Sequence, residues 1–174
     1  MADVSVRPAR LGDVAAMAEV QLRAWVDSEL PGRPDPADAE RAWERAVLLP
    51  PSPRHRVLVA LVGDAVAGAV ATVPASDPDL ARGTDTEVVM LVVDPTWRGQ
   101  GHGSRLVAAA VEVMQSTGDR LAVVWVPAHD DRTRQFLESA GWGPDGAHRT
   151  TQVDDGSAAV KWLRLATDLT REDT

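Results

Sequence analysis

The stretch from Val92 to Leu106 constrains this chain more than any other. An apolar run from Thr86 to Val93 ends at Asp94-Pro95, glycines then stand at the alternate positions Gly99, Gly101 and Gly103, and apolar residues resume at Leu106, Val107, Ala110, Val111, Val113 and Met114. Nearly continuous apolar character after Glu87 predicts a central strand covered on both faces. Spacing of three and four predicts a helix from about Ser104 to Ser116, closed by Gly118. Where a strand turns through glycines into a helix, the first helical amides are unpaired donors at the positive end of the macrodipole, and no side chain keeps an anion away. The junction is a candidate phosphate cradle, with Arg98 and Arg105 adding positive charge beside it.

Three other readings of the glycines compete with this one. A Walker loop requires Gly-Lys-Ser/Thr after four spacers, which the chain lacks. A dinucleotide fingerprint beginning at Gly99 would place Ser104 at its third glycine, with no strand-end acid about 20 residues on to grip a ribose. A tight strand-to-helix turn without a ligand explains the glycines equally well.

Composition narrows the partners. Among 174 residues, 18 Lys and Arg stand against 26 Asp and Glu, a net charge of -8. Such acidity repels phosphate backbones and anionic lipid heads at long range, so neither nucleic acid nor a membrane surface is expected as a partner. With no cysteine there is no disulfide, thiolate metal site or Cys nucleophile. The histidines His55, His102, His129 and His148 show no metal-ligand spacing, and Gly-x-Ser-x-Gly and His-Glu-x-x-His are absent, so no metal is expected. The start of the chain lacks a signal-peptide pattern and no 18-residue apolar run occurs, which predicts a soluble cytoplasmic protein.

Periodicity supplies the remaining elements. Val4 and Val6 mark a short strand. Leu11, Val14, Ala18, Leu22 and Trp25 line one helix that ends at Pro31-Gly32, and Ala39, Trp43, Ala46 and Val47 line a second that ends at Pro50-Pro51. Val57–Val62 and Val66–Val73 around Gly63-Asp64 read as a hairpin, Leu121–Val126 as a buried strand, and Asp131–Ala140 as a short helix. Ala147–Val153 and Ala158–Leu165 form a second hairpin. The expectation is one α/β domain over residues 1–166, with a mixed, mostly antiparallel sheet of about seven strands flanked by about four helices. A frayed tail, 167–174, follows.

Arg98-Gly99-Gln100-Gly101-His102-Gly103 resembles the Gln/Arg-x-x-Gly-x-Gly/Ala signature of the GNAT superfamily of acyl-CoA-dependent N-acetyltransferases, and the element order over residues 4–165 resembles that fold. A second segment, from Asp130 through Phe136 and Leu137 to Gly141-Trp142, is similar to the family's Asn-x-x-Ala-x-x-Phe-Tyr…Gly-Phe. It departs in carrying Asp130 for Asn, Thr133 for Ala and Leu137 for Tyr. The resemblance implies acetyl-CoA as co-substrate. Its pyrophosphate would lie on the loop of Arg98, Gly99, Gln100, Gly101, His102, Gly103 and Ser104, its pantetheine along Leu91, Val92 and Val93, with Asp130 nearby. The side chain of His102 is expected to face solvent or the cofactor's edge.

Acetyl transfer to an amine needs a base for the amine's proton. Glu87, a carboxylate within an apolar strand, matches the position where many family members carry a glutamate, and is the candidate; a carboxylate capping the strand's exposed start is the alternative. The chain contains no tyrosine, so the family's usual general acid is absent, and His129 and Ser139 are the nearby candidates to replace it. The fold implies an acceptor groove between the first two helices, the start of the central strand and the last hairpin turn. Those segments hold Trp25, Asp27, Glu29, Asp35, Asp38, Glu40 and Trp43, then Asp85, then Asp154 and Asp155, which points to a small cationic primary amine, with Trp25, Asp27, Glu29 and Asp154 as candidate contacts. A non-catalytic acyl-CoA-binding or regulatory domain is the competing function. The apolar strand Ala158–Leu163 is a candidate pairing edge for a homodimer.

Overall fold

A computed structural model describes residues 4–153 and 156–170. In chain order the elements are β1 (Val4–Pro8), α1 (Val14–Asp27), α2 (Pro36–Leu48), β2 (Arg56–Val62), β3 (Ala65–Pro74), β4 (Asp85–Val93), α3 (His102–Ser116), β5 (Leu121–Pro127), α4 (Asp131–Ser139), β6 (Gly143–Gln152) and β7 (Ala159–Asp168). Short 3-10 turns precede α1, at Leu11–Asp13, and follow β4, at Pro95–Trp97. The strands form one sheet in the order β1-β2-β3-β4-β5-β7-β6. All neighbours are antiparallel except β4 and β5, which the α3 crossover makes parallel. This is the single-domain α/β fold that the residue pattern predicts.

Two apolar clusters cover the two faces. Leu106, Ala110 and Met114 of α3 and Leu137 of α4 pack with Leu58, Val70, Val88, Val124 and Leu165 on one side. Val14, Met17 and Ala18 of α1 and Ala39 and Trp43 of α2 pack with Val59, Leu61, Ala69 and Ala71 on the other. Leu106, Met114 and Leu165 are fully buried, so truncating any one to alanine costs about 2–5 kcal/mol. Trp43 donates its indole N–H to buried Gln21 at 2.8 Å, which makes it a core residue and removes it from any acceptor groove.

The parallel pair β4–β5 determines where a site can form. Its ladder covers only Asp85–Val88 against Leu121–Val124, after which the strands part. The closed end is pinned by Asp119, buried at 4 % exposure, which accepts from Arg54 at 3.0 Å and from Thr86 at 2.9 Å. At the open end β3 pairs Thr72 with Val88 and Ala71 with Met90, leaving Val89 as an extra residue, a β-bulge. The bulge puts Val88 and Leu91 on the same side of the sheet, and Val89 is 46 % exposed. The expectation of a strand covered on both faces therefore holds only for its first half, because the second half borders the opening.

Other expectations are corrected. Strand β7 lies between β5 and β6: Trp162 and Leu163 of the expected pairing edge are paired on both sides, Ala159–Lys161 pair with β6 alone, and the outer edge of the sheet is β6. The sheet runs past residue 166: β7 continues to Asp168, and Leu169 is buried and bonds Arg120 O at 2.9 Å. Among the described residues no helix is long and apolar enough to cross a membrane.

Candidate active site

The glycine loop is shaped as an anion site. Gly99 and Gly101 sit at φ 73° and 84°, in the left-handed region that favours glycine. Gly101 is the N-cap of α3, whose first backbone bond runs from Arg105 N to Gly101 O, so the amides of His102, Gly103 and Ser104 precede it without a helical acceptor. A Cβ on Gly103 would come within 3.3 Å of the Phe136 ring of α4, so glycine here lets the two helices close together. Gly99, Gln100, Gly101, Ser104 and Arg105 are exposed, leaving the cradle open to a ligand. Arg105 folds back and donates to Gln100 O at 3.1 Å.

His102 corrects an expectation. The helix begins two residues earlier than its apolar pattern suggests, and the imidazole turns inward to 2 % exposure. It meets Trp97 edge-on at 6.0 Å, and neither ring nitrogen has a hydrogen-bond partner. Burial, with Arg105 adding to it, pushes its pKa down and favours the neutral ring. Only its backbone amide faces the cradle's ligand side.

Beside the cradle, the end of α1 reaches across to α4. Asp27 accepts hydrogen bonds from Arg98 of the loop and from Arg132 of α4, the latter at 3.2 Å, and these hold its carboxyl below the usual range. The His129 ring nitrogen Nε2 lies 3.3 Å from Ser28 O. Asp94, at the end of β4, accepts from Arg23 at 2.9 Å and from the amide of Thr96 at 3.0 Å, which fixes the entry to the loop. Asp130 is spent as the cap of α4, accepting from Thr133 N at 3.0 Å and from its hydroxyl at 2.6 Å.

Glu87 sits on the closed part of the β4–β5 pair, level with Val123. Two residues along β5 on the same face is Trp125, level with Arg164 of β7; Trp162, two back on β7, is level with Arg149 of β6. The main packing of α1 and α2 on this face is against β2, β3 and β4, and Trp125, Arg149 and Arg164 line an open cleft of ≈ 410 Å³ with Asp77, Asp79 and His148; Glu87 lies beside it, within reach of the charges of Asp77, Arg149 and Arg164. Arg164, 5 % exposed, donates to Asp145 at 2.7 Å, to Asp77 at 3.3 Å and to Asp79 at 2.9 Å. Trp125 donates its indole N–H to Asp77 at 3.2 Å, and the Arg149 guanidinium stands 4.2 Å from its ring centroid. Glu87 is half-buried. Burial first, and the charge of Asp77 second, push its pKa up, while Arg149 and Arg164 oppose the shift.

The remaining predicted residues are not among those that line this cleft. Ser139 is exposed at the end of α4 and donates its hydroxyl to Phe136 O at 2.6 Å, so it is not placed as an acid. Leu137, at the tyrosine position, is 1 % exposed in the core. Trp25 gives its indole N–H to Leu30 O at 3.0 Å, Glu29 is exposed at φ 57°, and Asp27 is taken up by two arginines. Asp85, at 8 % exposure, accepts from Ala81 N at 2.8 Å and holds the β3–β4 loop. Asp154 and Asp155 lie outside the described residues. Asp77, Trp125, Arg149 and Arg164 were not legible as a site. The one available signal was a tryptophan interrupting the aliphatic run Leu121–Val126.

The acetyltransferase (GNAT) family profile matches residues 16–142, a span running from α1 through the loop and α4 to Trp142. No curated protein sequence matches the chain. Among solved structures it is similar to yncA of Salmonella typhimurium, determined with its cofactor acetyl-CoA, at TM-score 0.76 and 18 % identity over 99 % of this chain and 97 % of that one. An N-acetyltransferase from Staphylococcus aureus Mu50 gives 0.79 and 16 % over 97 % and 99 %. The ribosomal-protein-S18-alanine N-acetyltransferase of Escherichia coli gives 0.72 and 15 % over 98 % and 96 %. At such identities these neighbours speak for the fold, and it is the profile match over most of the chain, laid on a parted parallel strand pair and a glycine cradle, that places this chain in the GNAT acetyltransferase family.

Proposed function

We propose that this protein transfers the acetyl group of acetyl-CoA to the primary amine of a small molecule by direct attack, with Glu87 as general base. The observation that carries the reading is the position of Glu87: half-buried, with its pKa raised, where β4 and β5 begin to part. A carboxylate whose pKa is lifted toward neutrality takes a proton more effectively near neutral pH than one at its ordinary value.

The residues present fit the co-substrate. The amides of His102, Gly103 and Ser104 would hold the pyrophosphate, the open shape at Gly99 and Gly101 admits it, and β4 beyond Val88, with no ladder to β5, leaves backbone groups for the pantetheine. Acetyl-CoA supplies the acyl group already activated as a thioester. The chain's residues bind it, orient the acceptor and take its proton: Glu87 accepts a proton from the arriving ammonium, and the neutral amine is the nucleophile. No tyrosine is needed to protonate the sulfur, because a thiol of pKa ~8.5 is a fair leaving group as its anion.

A second reading has one specific observation in its favour: the position of the family's usual acid is a core leucine, Leu137, as expected of an acyl-CoA-binding domain that does not catalyse. A thiol-release assay across a broad panel of amines separates the two. Release with any amine, falling in Glu87→Gln and recovering at alkaline pH, supports the enzyme; silence with intact acetyl-CoA binding supports the binding domain.

A further inference from the structure

The cleft beside Glu87 is electrically two-ended, and this bears on what can occupy it. Asp77, Asp79 and Asp145 converge on the single guanidinium of Arg164, so the carboxylates there outnumber their cation even before Glu87 is added. That excess attracts an ammonium group. Arg149 is the opposite case. It projects from edge strand β6 on the same face, has its guanidinium 4.2 Å from the centroid of Trp125, and forms no ion pair among the described residues. Its charge is nevertheless directed at the cleft, since it is one of the two cations that oppose the raised pKa of Glu87. A guanidinium that stands over an indole ring without an ion pair has N–H groups left for a carboxylate, in the fork geometry that suits one.

We infer that the acceptor is a small amino carboxylic acid, its amine directed at Glu87 and its carboxylate paired with Arg149 on the Trp125 platform. The inference rests on the N-acetyltransferase reading above and names the substrate class within it. It also replaces the origin of the cationic preference expected from the sequence: the attraction for the ammonium end comes from Asp77 and its neighbours, since Asp27 is already bonded to Arg98 and Arg132. A purely cationic amine would leave Arg149 facing an acceptor of like charge.

The test uses matched acceptors: amino acids, their carboxamides and the corresponding decarboxylated amines, with wild type, Arg149→Gln and Arg149→Lys. Wild type should favour the carboxylate-bearing member by about 10-fold in kcat/KM, carried mostly in KM, since a charged hydrogen-bonded pair is lost otherwise. Arg149→Gln should abolish the preference and Arg149→Lys should retain part of it. Turnover of the amides or simple amines equal to or better than that of the acids would overturn the inference while leaving the acetyltransferase reading intact. If acetyl-CoA binds but no amine is turned over, that reading fails, and saturation-transfer NMR with the same amino acids still decides the carboxylate site. Binding weakened by Arg149→Gln supports it, and absent binding or binding indifferent to the substitution overturns it. Arg149 is exposed and on an edge strand, so the variants should fold with unchanged Tm.

Discussion

The two sides of the proposed reaction are built by different means. On the cofactor side the functional groups are backbone amides at one helix start, in a loop shaped by three glycines within five residues. On the acceptor side they are side chains from the β3–β4 loop, β4, β5, β6 and β7, spread from Asp77 to Arg164. A backbone site depends on local φ/ψ and tolerates much change in side chains around it. A side-chain site depends on strand register, and a slip of one residue would turn Glu87, Trp125 and Arg164 to the other face. The contrast predicts that the cofactor side breaks by changes at glycine and the acceptor side by changes of charge.

Glu87→Gln should give the largest effect, a fall in kcat of at least about 100-fold near neutral pH with acetyl-CoA affinity retained. The pH profile sharpens it. Because Glu87 has its pKa raised, kcat/KM in wild type should climb on a limb lying above 4.5, and that limb should vanish in the variant. Stability should move oppositely. A carboxyl with a raised folded pKa favours the fold fully below its unfolded value, and this contribution is lost as pH rises through the folded pKa. Glu87→Gln should therefore match or exceed the wild-type Tm at neutral pH and gain nothing at pH 4. A lower Tm at neutral pH would deny that the buried charge is the cost.

Gly101→Asp is the counterpart on the cofactor side. A Cβ there needs a φ of 84° and would stand 3.1 Å from the Arg105 guanidinium, while the new carboxylate opposes the ligand's phosphates. Calorimetry should show acetyl-CoA binding weakened by about 30- to 100-fold, with circular dichroism unchanged. Equal affinity would show that the glycine loop does not hold the ligand.

Arg164→Leu tests what holds the acceptor side together. It leaves Asp77 and Asp145 near one another without their shared cation, a loss of about 3 kcal/mol, at the low end for buried pairs because Asp79 is 61 % exposed. Urea unfolding reads this directly, and retention of full stability would show the cluster to be dispensable. The smallest effect is expected for Asp27→Asn. Freeing Arg98 and Arg132 should tighten acetyl-CoA binding by no more than about 5-fold, as befits an exposed ion pair, and the gain should shrink with added salt.

The sequence by itself determined the order of elements, the cradle and the family, because each is local. Apolar spacing fixes helices and strands, and Gly99, Gly101 and Gly103 cannot be read without the strand before them and the helix after. Glu87 was also legible, as a carboxylate within an apolar strand. The tertiary structure alone decided which charges surround it. The resemblance implies that the acids of the first two helices line a groove, but Asp27 is claimed by arginines 71 and 105 residues away, Trp43 by Gln21, and Asp85 by its own loop. The bulge at Val89, which sets where β4 leaves β5, and the order β5-β7-β6, which brings Arg149 and Arg164 beside Trp125, arise from pairing between distant segments. Spacing along a chain records the period of a strand but not its neighbour, and charges act through the space that neighbours define.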